Sequence, residues 1–274
     1  MKSNSFARGL GCKNFLPVLV LLALAACTSA AEPGKEPAWR SLPLITAGKV
    51  DPAWVHVGWG GFVVEGDTLL TECDPKGLGL IVYQKERFGN CQIRVVFKAK
   101  DAKSNSGVYV RMNDGILTQT NTPGAAFERD ANGKSSPESR ARMLVSADRA
   151  EGPWYAVHHG YEVQIMDAND KFHRTGAVYS LAASSAISSR APEEWKTMVI
   201  TLDDRHIYVD LDGRRITHFD PESPDVPPQQ KWAEPKREPK RPLAGYLGLQ
   251  NHDPGDLVWF KEVSVRPLPP KEKP

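Results

Sequence analysis

Along this chain the apolar positions come in short runs, many of them alternating with polar residues. Runs at 62–65, 68–73, 80–83, 91–99, 107–112, 161–166, 177–181, 196–202, 206–211, 245–251 and 257–265 are rich in β-branched and aromatic residues. Each is bounded by Gly, Asp, Asn or Pro, which is how strands are punctuated. No stretch carries a helical apolar period of any length. Asp203-Asp204 and Asp212-Gly213 sit between neighbouring runs and read as hairpin turns. Short strands at this spacing predict an all-β domain of two packed antiparallel sheets, a sandwich or jelly roll.

Two insertions break the rhythm. The first, 113–160, carries Arg140, Arg142, Trp154, Tyr155, His158 and His159; the second, 220–242, is rich in Pro and Lys with Trp232. Long loops inside a compact domain are more often functional than idle, and the first one joins two strands that share a polar face.

The first residues change the cellular picture. Lys2, Arg8 and Lys13 precede an apolar run, 15–26, of about a dozen residues, too short for a bilayer that needs roughly 20. Leu24-Ala25-Ala26-Cys27 resembles a bacterial lipobox, so 1–26 reads as a lipoprotein signal peptide and Cys27 as the lipidated first residue of the mature protein. The expected localisation is an exported, lipid-anchored protein of the cell envelope, in the outer membrane or periplasm. Residues 27–43 read as a flexible tether, 44–268 as the sandwich domain and 269–274 as a disordered tail. Lys2, Arg8 and Lys13 are three positive charges and no acid precedes Cys27, so without the leader the formal net charge moves from +2 to −1. No sign excess remains to attract nucleic acid, and the membrane is met through the lipid alone. Cys73 and Cys91 are then the cysteines of the folded part, and export permits a disulfide without requiring one.

Strand alternation sorts the polar residues by face. Glu162, Gln164 and Met166 oppose Tyr161, Val163 and Ile165; Gly107, Tyr109 and Arg111 oppose Val108, Val110 and Met112; Tyr246, Gly248, Gln250 and His252 oppose Leu247 and Leu249. A plain solvated face would be Lys, Thr, Ser and Glu. Here it joins Tyr, Gln, Glu, His and Arg, with glycines at 107 and 248 that leave room for something to approach, the composition of a sugar site. Asp167, Asn169 and Asp170 offer oxygen ligands but lack the Gly and distal Glu of a calcium loop, so no metal and no other cofactor is assigned. A serine hydrolase would want a G-x-S-x-G elbow, which the chain lacks.

The segments GYEVQIMD (160–167), TGAVYSL (175–181), EWKTMVIT (194–201), LDGRRI (211–216) and GYLGLQNHDPGDLVWFKEVSV (245–265) resemble the 3-keto-disaccharide hydrolase domain family over about 54–268. The resemblance implies a concanavalin-like β-sandwich and a carbohydrate substrate, a glycoside already oxidised at carbon 3. A ketone there acidifies the hydrogen on carbon 2, so base-assisted elimination followed by hydration needs a base, an acid for the leaving oxygen and positive charge near the ketone. Glu162 and His252 are the expected acid–base pair and Arg111 the electrophile. Tyr109, Gln164, Asp167 and Gln250 are the expected substrate-binding residues. A non-catalytic, lectin-like carbohydrate-binding domain is the alternative, since sandwiches host both.

Overall fold

The computed structural model describes residues 37–168 and 170–269. Fifteen strands run in chain order: β1 (Arg40–Ser41), β2 (Ile45–Thr46), β3 (Lys49–Val50), β4 (Trp54–Gly58), β5 (Gly61–Glu65), β6 (Thr68–Glu72), β7 (Gly79–Phe88), β8 (Cys91–Ala99), β9 (Ser106–Met112), β10 (Tyr161–Ile165), β11 (Lys196–Asp203), β12 (His206–Leu211), β13 (Arg214–Phe219), β14 (Gly245–Asn251) and β15 (Val258–Pro267). The larger sheet has the order β13-β12-β11-β8-β15-β6-β5, with β1 also paired to β15; the smaller is β10-β9-β14-β7-β4. β2 and β3 form a separate hairpin. Alternation along the strands builds the core between the two sheets: Ile93, Val95 and Phe97 of β8 belong to one buried cluster with Val108, Val110, Leu247 and Leu249. Asp212 and Gly213 both take positive φ between the paired Leu211 and Arg214, the two-residue turn that matches strand twist.

The 113–160 insertion is not a loop. It forms a 3-10 turn (Asp114–Gln119) and two helices, α1 (Pro137–Asp148) and α2 (Pro153–His159). Ile116, Met143, Ala147, Trp154 and Val157 bury a second core with Leu80, Val82, Tyr109 and Met112, on the far side of the smaller sheet. α1 escapes an apolar-period search because its buried residues are Ser139, Met143, Ser146 and Ala147, two of them polar. Its N-terminus is capped: Ser136 precedes Pro137, and the Ser136 hydroxyl accepts the Ser139 N–H at 3.0 Å.

Other expectations also shift. Residues 177–181 form turns and isolated bridges, not a strand, because Gly176 and Ser180 take positive φ on either side of Val178. The fold reaches into the expected tether, since Arg40 and Ser41 pair with Val265 and Ser264 and Leu42 is buried. Cys73 and Cys91 are free thiols. The expected signal peptide, Cys27, Asn169 and the tail beyond 269 lie outside the described residues.

Candidate functional site

The polar face of β10, β9 and β14 opens into a cleft of about 280 Å³ between the smaller sheet and the two insertions. Antiparallel register sets Glu162 opposite Tyr109, and Tyr109 opposite Gly248 two residues before Gln250. The Tyr109 hydroxyl donates to Glu162 Oε2 at 2.8 Å and accepts from Gln250 Nε2 at 3.2 Å. Gln164 Nε2 donates to Asn105 Oδ1 at 2.6 Å. Glu162, Tyr109, Gln164, Gln250 and Asn105 all line the cleft. The side-chain oxygens of Gln164 and Gln250 are buried without a hydrogen-bond partner among the described residues, so both are acceptors in waiting.

Tyr109 is itself buried and bonds to Glu162, so it fixes the carboxylate more than it offers a ring to a sugar. The glycines do not leave room for a ligand either. A Cβ on Gly107 would lie 2.3 Å from Glu162 Oε1, and one on Gly248 would lie 3.0 Å from Met112 Cε. Gly107 is therefore the seat of the Glu162 side chain.

Burial drives the Glu162 carboxyl up to about 7, against the opposing pull of the Tyr109 hydrogen bond, the His252 charge and the Gln250 amide. His252 follows β14 and lines the same cleft. Burial lowers its basicity, but the hydrogen bond to Asp256 and the charges of Asp253, Asp256 and Glu162 outweigh that and raise it above its ordinary value. Its Nδ1 lies 3.1 Å from Asp256 Oδ2, which leaves Nε2 as the other working nitrogen. A carboxyl raised to about 7 and an imidazole raised above its usual value thus line one cleft, an arrangement chemically able to serve as an acid–base pair.

Two expected members are elsewhere. Register slips between Tyr246–Gly248 of β14 and Met112–Tyr109 of β9, so β9 carries one extra residue, and Arg111 takes φ +54° at that bulge. The bulge turns Arg111 away from Tyr109, and it lines a different cavity with Tyr161 and Arg241. It also carries Met112 into the second core. The simple alternation that put Arg111 beside Glu162 is corrected on this ground. Asp167 does not line the cleft; it accepts the Thr175 hydroxyl at 2.7 Å and lies 3.7 Å from the ammonium of the buried Lys196.

Sequence reasoning missed Arg129, Phe127 and Tyr179 in the cleft wall and Asp256 behind His252. Arg129 is the one Arg or Lys lining the cleft among the described residues. Trp154 and Trp232, from the two insertions, also line the cleft and pack together with ring centroids 5.2 Å apart. Burial and the Glu162 charge push the Tyr179 phenol up to about 12. For the residues of the insertions the signal was that both insertions carried Trp. His158 and His159 end α2; burial drives His158 down to about 4, and its Nδ1 accepts the Lys236 N–H at 3.3 Å, tying the second insertion to α2.

A Ser-His-Asp row does occur without the G-x-S-x-G elbow: His173 lies 2.7 Å from Asp170 Oδ2 and 2.9 Å from Ser180 Oγ. The N–H groups of Ser180 and Leu181 are committed to Phe172 O at 3.1 Å and Val178 O at 2.8 Å. Neither of those N–H groups is then available as an oxyanion donor, and the row ties Asp170 to Ser180 across a turn.

Solved structures of similar shape include a putative glycosyl hydrolase from Parabacteroides distasonis ATCC 8503 (20% identity, TM-score 0.55, covering 84% of this chain and 100% of that one). A second putative glycosyl hydrolase from the same organism matches at 18% identity and TM-score 0.51, covering 81% and 91%. A Bacillus subtilis protein of unknown function with a galectin-like fold matches at 12% identity and TM-score 0.51, covering 85% and 97%. These likenesses establish the lectin-type sandwich. No curated protein matches. The family model described as a 3-keto-alpha-glucoside-1,2-lyase-like domain matches residues 44–266, from β2 into β15, and the chain belongs to that family.

Proposed function

We propose that the cleft binds a glycoside whose sugar is oxidised at carbon 3 and cleaves its glycosidic bond by elimination. The observation that carries this reading is the pairing of Glu162 and His252 in one cleft, the first raised to about 7 and the second raised above its usual value. Glu162, as carboxylate, takes the hydrogen from carbon 2, which the neighbouring ketone has made acidic. The resulting enolate breaks the bond from carbon 1 to the glycosidic oxygen, and His252 as imidazolium protonates that oxygen as it leaves. Water adding to the unsaturated product restores a free 3-keto sugar. With Arg111 facing another cavity, Arg129 and the Asn105 amide take over the duty of holding the ketone oxygen. Trp154 and Trp232 supply the ring surface for the sugar face.

Asp253 gives the cleft a second carboxylate, so an ordinary two-carboxylate glycosidase is the competing chemistry and a lectin the competing function. Purified protein incubated with paired disaccharides, one member 3-keto and one unoxidised, separates the three. Release of sugar from the 3-keto member alone supports the proposal. Release from both favours the two-carboxylate glycosidase, and binding without release favours the lectin. We further propose that the chain works from a lipid anchor at Cys27; Cys27→Ser should abolish fatty-acid labelling, and equal labelling of the variant would refute the anchor.

A further inference from the structure

Arg111 is buried in a second cavity of about 60 Å³, lined also by Tyr161, Arg205, Glu222, Arg237, Glu238, Lys240, Arg241 and others. The lining is strongly cationic. Five cations face two acids, Glu222 and Glu238, and Glu222 is already shared by two of the cations, lying 3.6 Å from Arg205 and 3.5 Å from Lys240. Arg237 spends its guanidinium on the carbonyls of Pro227, Pro235 and Ser180. That leaves the two deepest guanidiniums. Arg111, only 2% exposed, has Nε and Nη2 buried with no hydrogen-bond partner among the described residues. Arg241, 7% exposed, gives Nε to Gly160 O at 3.1 Å and Nη1 to Arg237 O and Pro239 O, while its Nη2 is buried and unpartnered.

Unpaired guanidinium N–H groups in a closed site are costly, and removing the charge is not open to arginine. The charges of Asp203 and Asp204, at the β11–β12 turn, reach Arg111, and Glu238 reaches Arg241. These carboxylates offset part of the charge, but the three buried nitrogens still lack acceptors. The bulge that aims Arg111 here also holds it at φ +54°, a backbone state disfavoured for arginine, so the aim is maintained at a conformational cost. The cavity is far too small for a sugar but has room for a few waters or one four-oxygen ion.

We propose that this cavity binds a small tetrahedral oxyanion, phosphate or sulfate, gripped by the forks of Arg111 and Arg241. Arginine's planar donors suit such an ion, and its charge offsets the two deepest cations together. The site stands apart from the acid–base cleft and does not depend on the reaction proposed there.

The test is thermal unfolding of the purified protein titrated with phosphate or sulfate from micromolar to about 10 mM, with ionic strength held constant by chloride. Wild-type protein should show a saturable rise, roughly 5–10 °C at a hundred times Kd, with at least one of the two ions. Which ion saturates at lower concentration identifies the preferred one. Arg111→Met should abolish the saturable rise, and Arg241→Lys, which keeps the charge and loses the fork, should weaken the affinity about tenfold or more. If Arg111→Met does not fold, the Arg241→Lys titration decides. A flat or non-saturating response to both ions in the wild type, or an unchanged midpoint in Arg241→Lys, overturns the proposal.

Discussion

Glu162→Gln should make the protein more stable in alkaline solution while it loses activity. In the folded chain burial lifts this carboxyl from 4.5 to about 7. Below the unfolded value both states hold the proton and ionisation costs nothing. Between the two values the unfolded chain gives up its proton while the folded one keeps it, so stability falls as pH rises and the full penalty is in place above the folded value. At about 1.4 kcal/mol per tenfold the penalty is about 3 kcal/mol, and the side chain's opening to the cleft reduces it to about 2–3 kcal/mol. Gln fits the same seat over Gly107, accepts the Tyr109 hydroxyl and carries no charge to bury. Thermal unfolding of both proteins should agree within a degree or two at pH 4.5, while at pH 8 the variant should melt roughly 5–10 °C higher. Turnover should fall on the order of a hundredfold or more, the usual worth of a placed base. A melting difference that does not change with pH, or a variant less stable than wild type at pH 8, would refute the claim that burial raises Glu162.

Gly107→Ala places a methyl 2.3 Å from Glu162 Oε1, so the carboxylate must move and turnover should drop on the order of a hundredfold; full activity would show that the seat is unimportant. Asp256→Asn keeps a partner for His252 Nδ1 but removes a charge that raises it, so the alkaline limb of the kcat/KM profile should move to lower pH, and an unmoved limb argues against His252 as the acid. Trp232→Ala should raise KM about tenfold with little change in melting temperature, because the ring is 46% exposed beside the cleft; an unchanged KM would remove it from the binding surface.

Much of the sandwich was legible because alternation is local. Val163 and Ile165 inward with Glu162 and Gln164 outward follow from a period of two, as do Leu247 and Leu249 against Gln250. What alternation cannot register is an added residue. One bulge at Arg111 inverted the faces of two positions and moved an expected electrophile out of the cleft. The second layer of the site was hidden for another reason. α1 buries Ser139, Ser146, Met143 and Ala147, and its two serines accept the backbone N–H groups of Glu128 and Ala125, so its buried stripe has little hydrophobic signal, and Arg129 comes from irregular chain just before it. Asp256 was visible in the sequence only as a turn residue; its grip on His252 depends on how the turn at 253–256 folds back. Gly107 was noticed for the right property, its lack of a side chain, while the space it frees belongs to Glu162 and not to a ligand.

The most direct test of the proposed chemistry is the fate of the hydrogen on carbon 2. With a 3-keto disaccharide deuterated there, wild-type protein should lose the label to solvent during turnover or show a primary isotope effect, and Glu162→Gln should do neither at a measurable rate. Cleavage that retains the deuterium in the product with no isotope effect would contradict elimination and leave direct displacement at carbon 1 in its place.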